Sequence, residues 1–246
     1  MKDNFSQDSD KYAKYRPHYP AELYEYLFSL CNNFEKAWDC ATGNGQVAKI
    51  LAEKFKQVEA TDISKNQLKE APKLTNINYT VQRAEKTNFA DHQFNLITVA
   101  QAIHWFEFDD FFKEAKRTLQ PNGIIAVIGY GLLTINPEID KIIHHFYDNI
   151  IGEYWDEERK YIEQNYQTIP FPFKELETPS FEINYNWNDE DLLNYLNTWS
   201  AVKHYEEKNN ENPVLLIANQ IHDTWGNKKR EVKFPIIARI GKNFSS

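Results

Sequence analysis

Five features of the chain carry residue types and spacings suited to chemistry. Gly43-Asn44-Gly45 places two glycines within three positions of a chain that has only eight in 246 residues, well under the ~7% average. Glycines let a backbone turn tightly and approach a ligand. Asp39 precedes this turn, and Asp62 follows Gly43 by 19 residues, a spacing at which an acid can accept both hydroxyls of a ribose. His104, beside Trp105, is a candidate general base, because imidazole titrates near neutrality. Arg16, between Tyr15 and Pro17, offers a planar fork that grips carboxylates, and Tyr12 and Tyr19 could roof the same site. The chemistry implied is nucleotide-cofactor binding next to a small acceptor. Substrate contacts fall to Tyr12, Arg16, Tyr19, His104 and Trp105. No metal is expected, since no residues show zinc spacing and adjacent His144 and His145 point apart on a helix.

The elements that must position these residues follow from the apolar pattern. Pro20 opens a helix carrying Leu23, Tyr26, Leu27 and Leu30 at helical spacing. Residues 37–41 read as a short buried strand that stops at the glycine turn, and a helix follows with Val47, Ile50, Leu51 and Phe55 on one face. Residues 58–62 form a second strand, and Ser64 caps the helix carrying Leu68. Further strands are expected at 77–81, 94–100 and 124–128, with a helix at 108–119 broken by Pro121-Asn122-Gly123. Strands alternating with helices imply a parallel sheet covered on both faces. Beyond it, residues 136–166 and 189–226 read as mostly helical, with strands at 181–187 and 234–240. Trp155, Trp187, Trp199 and Tyr205 belong to this cap, and one or two of them are expected to line an acceptor pocket.

Gly43-x-Gly45-x-x-Ala48 also fits a dinucleotide fingerprint with alanine third. Two features weigh against it: about 35 residues precede the first strand, and Asp39 would repel a pyrophosphate. An acid there suits the cationic amino-acid end of S-adenosylmethionine instead. At this point the chain resembles the class I S-adenosylmethionine-dependent methyltransferases. Asp39-Cys-Ala-Thr-Gly43-Asn-Gly45-Gln46 is similar to their first motif, and Ala60-Thr61-Asp62-Ile63-Ser64 to the second. Arg83-Ala84-Glu85 resembles the segment beside the adenine, Gln101-Ala-Ile-His104-Trp105-Phe106 the fourth-strand end, and Arg117-x-Leu119-x-Pro121-x-Gly123 the turn before strand five. The resemblance implies a cofactor set of Asp39, Ala41, Thr42, Gly43, Gly45, Asp62, Ile63, Ala84, Glu85, Gln101 and Ala102. Tyr12-x-x-Tyr15-Arg16-Pro17-x-Tyr19-Pro20, the His104-Trp105-Phe106 run, Trp199-Ser200-Ala201 and Phe234-Pro235 are similar to the small-molecule branch that includes trans-aconitate methyltransferase-like proteins. Ala41 departs from the pattern, standing where the first motif usually has glycine; the turn is expected to survive if Ala41 is not left-handed.

The expected architecture is α/β, a Rossmann-like seven-stranded mixed sheet with helices on both faces and an added helical cap. It divides into an N-terminal helical lid segment (1–33), a cofactor-binding core (34–131) and a cap with the final strands (132–246). Composition narrows the function classes. Twenty-eight basic against 36 acidic residues give a net charge of -8, which disfavours nucleic acid. No apolar stretch reaches the about 20 residues of a membrane span. The polar opening MKDNFSQDSD lacks a secretory pattern, and Cys31 and Cys40 are too few for a disulfide framework and read as buried, reduced thiols. A cytoplasmic monomer or homodimer acting on a small molecule is expected. Methyl transfer by in-line displacement would then rest on positioning, with a small acceptor such as a carboxylic acid. An NAD-dependent oxidoreductase and a non-catalytic cofactor-binding protein are the alternatives.

Overall fold

The computed structural model describes residues 15–244. In chain order, α1 (Ala21–Leu30), β1 (Lys36–Cys40), α2 (Gln46–Leu51), β2 (Gln57–Asp62), α3 (Lys65–Glu70) and β3 (Ile77–Val81) form the first half of the core. β4 (Phe94–Ala100), α4 (Phe108–Thr118) and β5 (Leu119–Tyr130) complete it. The remainder contains α5 (Pro137–His145), α6 (Arg159–Glu163), β6 (Lys174–Glu175), β7 (Glu182–Trp187), α7 (Asp189–Leu196), α8 (Ser200–Asn209), α9 (Leu215–Trp225) and β8 (Arg230–Lys242).

Five strands run parallel in the order β3-β2-β1-β4-β5, and β8 adds to β5 antiparallel. The seventh position is shared: β6 pairs with the end of β8, and β7 with its beginning. The sheet is therefore seven positions wide and built from eight strands. Alternate residues of the central strands point to opposite faces, and both faces are buried. Trp38, Cys40, Ile97, Val99, Ile125 and Val127 pack on one side. Ala37, Val58, Leu96, Ile124, Ala126 and Ile128 pack on the other, against Leu23 and Leu27 of α1. This two-sided burial explains the near-continuous apolar runs in β4 and β5. It also makes α1 a layer of the core; Arg16, Pro17 and Tyr19, rather than this helix, lie against the cavity described below.

Two expectations needed correction. β5 begins at Leu119, and Pro121-Asn122-Gly123 lies within it as an irregularity, where the register against β4 shifts between Phe94 and Leu96. Asn122 and Gly123 exchange backbone bonds with Asn243 at 2.7 and 2.9 Å, so the end of β8 holds the segment in the sheet. Of the two free cysteines, Cys40 is buried but Cys31 only partly so.

The cap has its own core, in which Tyr130, Phe146, Trp199, Trp225 and Phe234 are buried together. Its first helical stretch is broken rather than continuous. After α5 the chain makes one wide π-turn at Phe146–Ile150 and one tight 3-10 turn at Gly152–Tyr154 before α6. Asn165 and Tyr166 then adopt left-handed φ values of 51° and 59°.

Trp38 is the largest fully buried side chain of β1, and its indole N–H donates to Thr61 Oγ1 of β2 at 2.9 Å. Trp38→Ala is expected to lower stability by about 3–5 kcal/mol in urea titration. A loss below about 1 kcal/mol would show that this side of the sheet collapses around the gap.

Candidate active site

The C-terminal ends of β1, β2 and β4 open into one cavity, with an empty volume of about 980 Å³ including its mouth. Asp39 anchors this corner. Its carboxylate is 1% exposed and accepts from the Thr42 hydroxyl at 2.5 Å, the Ala48 amide at 3.0 Å and the Thr98 hydroxyl at 2.7 Å. One buried acid thus ties the turn, the helix after it and the neighbouring strand together. Its pKa stands raised to about 6, because the rise from burial, helped by the charge of Asp62, outweighs the lowering by the three hydrogen bonds.

The turn is left-handed three times, at Ala41 (φ 55°), Gly43 (φ 57°) and Gly45 (φ 81°). Ala41 therefore adopts the conformation in which alanine is strained, at a cost of about 1–2 kcal/mol. The bonds from Thr42 N to Thr61 O and from Gly45 N to Thr42 O, both 2.9 Å, close the turn on either side of Gly43. Gly43 N donates to Asp62 Oδ2 at 2.9 Å, while Ser64 N donates to Oδ1 at 2.8 Å. Asp62 consequently faces the cavity with both oxygens already oriented by backbone. A Cβ on Gly43 would meet nothing closer than Gln67 Oε1 at 3.9 Å, whereas one on Gly45 would stand 2.6 Å from Tyr79 Oη. Gly43 leaves room for a ligand, and Gly45 is needed for packing.

At the end of β4, Gln101 also has a left-handed φ of 52° and donates from Nε2 to Tyr130 O at 3.1 Å. A single 3-10 turn, Ile103–Trp105, follows. A second chamber adjoins the first and shares Arg16, Gln101, Trp105 and Tyr130 with it. Its other walls include His104, Trp155, Arg159, Tyr195 and Trp199. Arg16 spans the junction, donating to Tyr130 Oη at 3.0 Å and Thr198 O at 3.2 Å. His104 is 6% exposed and stacks on Tyr166, with ring centroids 6.2 Å apart. Burial, reinforced by the positive charges of Arg159 and Arg16, lowers its pKa to about 3. His104 is therefore neutral at physiological pH and too weakly basic to act as the expected general base.

Asp39, Ala41, Thr42, Gly43, Asp62, Ile63, Gln101 and Ala102 all line the first cavity, together with Arg16, Tyr19 and Trp105. Gly45, Ala84 and Glu85 are not among its lining residues. Ala84 is 4% exposed within the core, and Glu85 bonds Arg83 Nε and Glu107 N. Tyr12 lies outside the described residues. Of the cap aromatics, Trp155 and Trp199 reach the second chamber, whereas Trp187 and Tyr205 do not line it. Thr98, Tyr130 and Arg159 were missed in the sequence. A threonine inside the apolar run FNLITVA was a usable signal for Thr98; nothing local marked Arg159.

Residues 38–127 match the family model described as a methyltransferase domain. A Dictyostelium discoideum protein named as a methyltransferase is 32% identical, over 98% of this chain and 95% of its own length. The chain belongs to the class I S-adenosylmethionine-dependent methyltransferases. A solved structure from Anaeromyxobacter dehalogenans, described as a type II methyltransferase, superposes with a TM-score of 0.87 at 34% identity, covering 94% of this chain and 99% of that one. A Bacillus halodurans structure at 18% identity and TM-score 0.54 shares the fold. Membership in this family sets the oxidoreductase alternative aside. The site of this methyltransferase also fits its cofactor, S-adenosylmethionine: there is open space at Gly43, one acid at the end of β2 and a second, incompletely compensated acid at the end of β1.

The backbone geometry gives a paired prediction for this methyltransferase. Gly45→Ala forces both a left-handed alanine and a clash with Tyr79, so it should cost about 1–3 kcal/mol. Ala41→Gly should leave stability within about 1 kcal/mol or raise it, because relief of strain offsets the entropy of glycine. Urea titration of both variants checks this, and an Ala41→Gly loss above about 2 kcal/mol would contradict it.

Proposed function

We propose that this methyltransferase methylates an oxygen of a small carboxylic acid bound in the second chamber. The observation that supports the reading is the shared wall: Arg16, Gln101, Trp105 and Tyr130 border both cavities, so ligands in the two chambers would abut. The neutral state of His104 favours an acceptor that is already anionic, because a carboxylate needs no base to become a nucleophile. The similarity of the Tyr15-Arg16-Pro17 and His104-Trp105-Phe106 segments to trans-aconitate methyltransferase-like proteins points the same way.

When bound, S-adenosylmethionine supplies an electrophilic methyl on a sulfonium whose leaving group is a neutral thioether. The contribution of the chain is placement, which can supply roughly 7–11 kcal/mol of a barrier. Asp62 would hold the ribose hydroxyls and Asp39 the ammonium group, with the turn from Ala41 to Gly43 and the segment Gln101-Ala102 as the flanking walls. Ile63 adds apolar surface to the same pocket. Arg16 would orient the acceptor carboxylate at the junction, and Tyr19 and Trp105 would exclude water from it. Acting on a small molecule, the enzyme would work in the cytoplasm; no helix among the described residues is long and apolar enough to cross a membrane.

Two measurements check this. Incubation with methyl-labelled S-adenosylmethionine and a panel of small acids should give a product that releases labelled methanol in alkali, as an ester does. Label that stays non-volatile after alkali would place the methyl on an atom other than a carboxylate oxygen and overturn the carboxylate assignment. Asp62→Ala should weaken S-adenosylhomocysteine binding at least tenfold by calorimetry; unchanged affinity would remove Asp62 from the ribose site.

A further inference from the structure

The second chamber holds a cation that the family motifs do not account for. Arg159 is the first residue of α6, and its guanidinium is gripped from behind. Its Nε donates to Tyr147 Oη at 2.8 Å, and its Cζ lies 4.6 Å from the Trp155 ring centroid and 5.4 Å from that of Tyr147. Tyr147 is in turn fixed by donating to Glu163 Oε1 at 2.6 Å. Glu163 thus secures the tyrosine without touching the arginine, and among the described residues no carboxylate pairs with Arg159. Its Nη1 and Nη2 meet no protein oxygen there. A partly buried guanidinium held rigidly, with its fork unused and facing a cavity, is an arrangement that recognises anionic oxygens in pairs.

The other charges around the chamber agree. Arg16 adds a second positive charge to the lining, His104 is neutral, and the one carboxylate among the lining residues, Asp156, has a partner of its own. Trp155, Tyr195 and Trp199 supply aromatic lining, which limits competition from water for a bound anion.

We propose that Arg159 is the residue that selects acceptors by charge, closing its guanidinium fork on an anionic oxo group while Tyr147 and Glu163 hold that fork in place. This rests on the second chamber being the acceptor site. Carboxylate and phosphate groups share the required chemistry, and the choice between them is left to the arms of the test.

The test is calorimetric titration of succinate, inorganic phosphate and neutral succinamide into the full chain saturated with S-adenosylhomocysteine. Wild type should bind at least one anion in the millimolar range or tighter. Arg159→Gln should weaken that binding at least tenfold while leaving succinamide and S-adenosylhomocysteine unchanged. Arg159→Lys, which keeps the charge but loses the fork, should fall between the two and serves if the glutamine variant does not fold. With an accepted acid as substrate, the loss should appear in KM with kcat changed less than threefold. Equal anion affinity in wild type and Arg159→Gln would overturn the proposal, as would a wild type that takes up neither anion at 20 mM while S-adenosylhomocysteine is bound. A wild type that fails to bind S-adenosylhomocysteine would overturn the underlying site assignment along with it, and is read separately in the same instrument.

Discussion

The arrangement depends on a buried carboxylate. Asp39 sits where β1 ends, out of contact with bulk water, and an acid in that position is unfavourable unless donors surround it. The donors come from three different elements: the turn through Thr42, α2 through Ala48 and β4 through Thr98. Satisfying one side chain therefore fixes the turn against the helix and sets the separation of the two strands whose ends form the cavity. The compensation is incomplete, because burial still holds the pKa near 6. A site built this way gains when a cation arrives beside it, which connects the folding of the turn to the binding of a ligand with a positively charged end.

Much of this was legible in the residues. The alternation of apolar strands and amphipathic helices located the core because both sheet faces are buried, and two-sided burial leaves an unbroken apolar signature. Gly43, Gly45, Asp39 and Asp62 stood out by type and spacing, and the structure brings the two acids to adjacent strand ends. What was hidden depended on conformation or on distant packing. Ala41 is left-handed although its side chain gives no hint of it; the bonds around Thr42 and Gly45 impose the geometry. The weak basicity of His104 was unreadable too, since it comes from burial beneath Tyr166 and from two arginines 88 and 55 positions away in sequence. Pro121-Asn122-Gly123 looked like a terminator because nothing local shows that Asn243 pairs with it.

The division of labour between core and cap follows from the same physics. The parallel sheet supplies a rigid edge whose strand ends carry the acids, so the first cavity is acidic and suits a ligand with a cationic end. The cap supplies Trp155, Arg159 and Trp199 from irregular and helical segments, so the second chamber is aromatic and basic. Arg16 reaches both, bonded at once to the end of β5 and to the carbonyl of Thr198. Two adjoining spaces of opposite electrostatic character, separated by Gln101 and Trp105, suit two reactants of opposite charge meeting at one boundary. Ala41 and Gln101, each left-handed, stand at the ends of the two central strands and line the first cavity, and Gln101 lies on the boundary itself.

The central claim, that the turn held by Asp39 receives the cationic end of S-adenosylmethionine, is most directly tested by proton release on binding. S-adenosylhomocysteine, which keeps the ammonium group, is titrated at pH 6.0 and 7.5 in buffers of different ionisation enthalpy. A cation beside Asp39 lowers a pKa that is raised in the free protein. Binding should therefore release a substantial fraction of a proton at pH 6.0 and almost none at 7.5, with affinity falling as the pH drops below 6. Binding of comparable strength with no proton release at pH 6.0, or binding of NAD(H) in place of S-adenosylhomocysteine, would contradict the account.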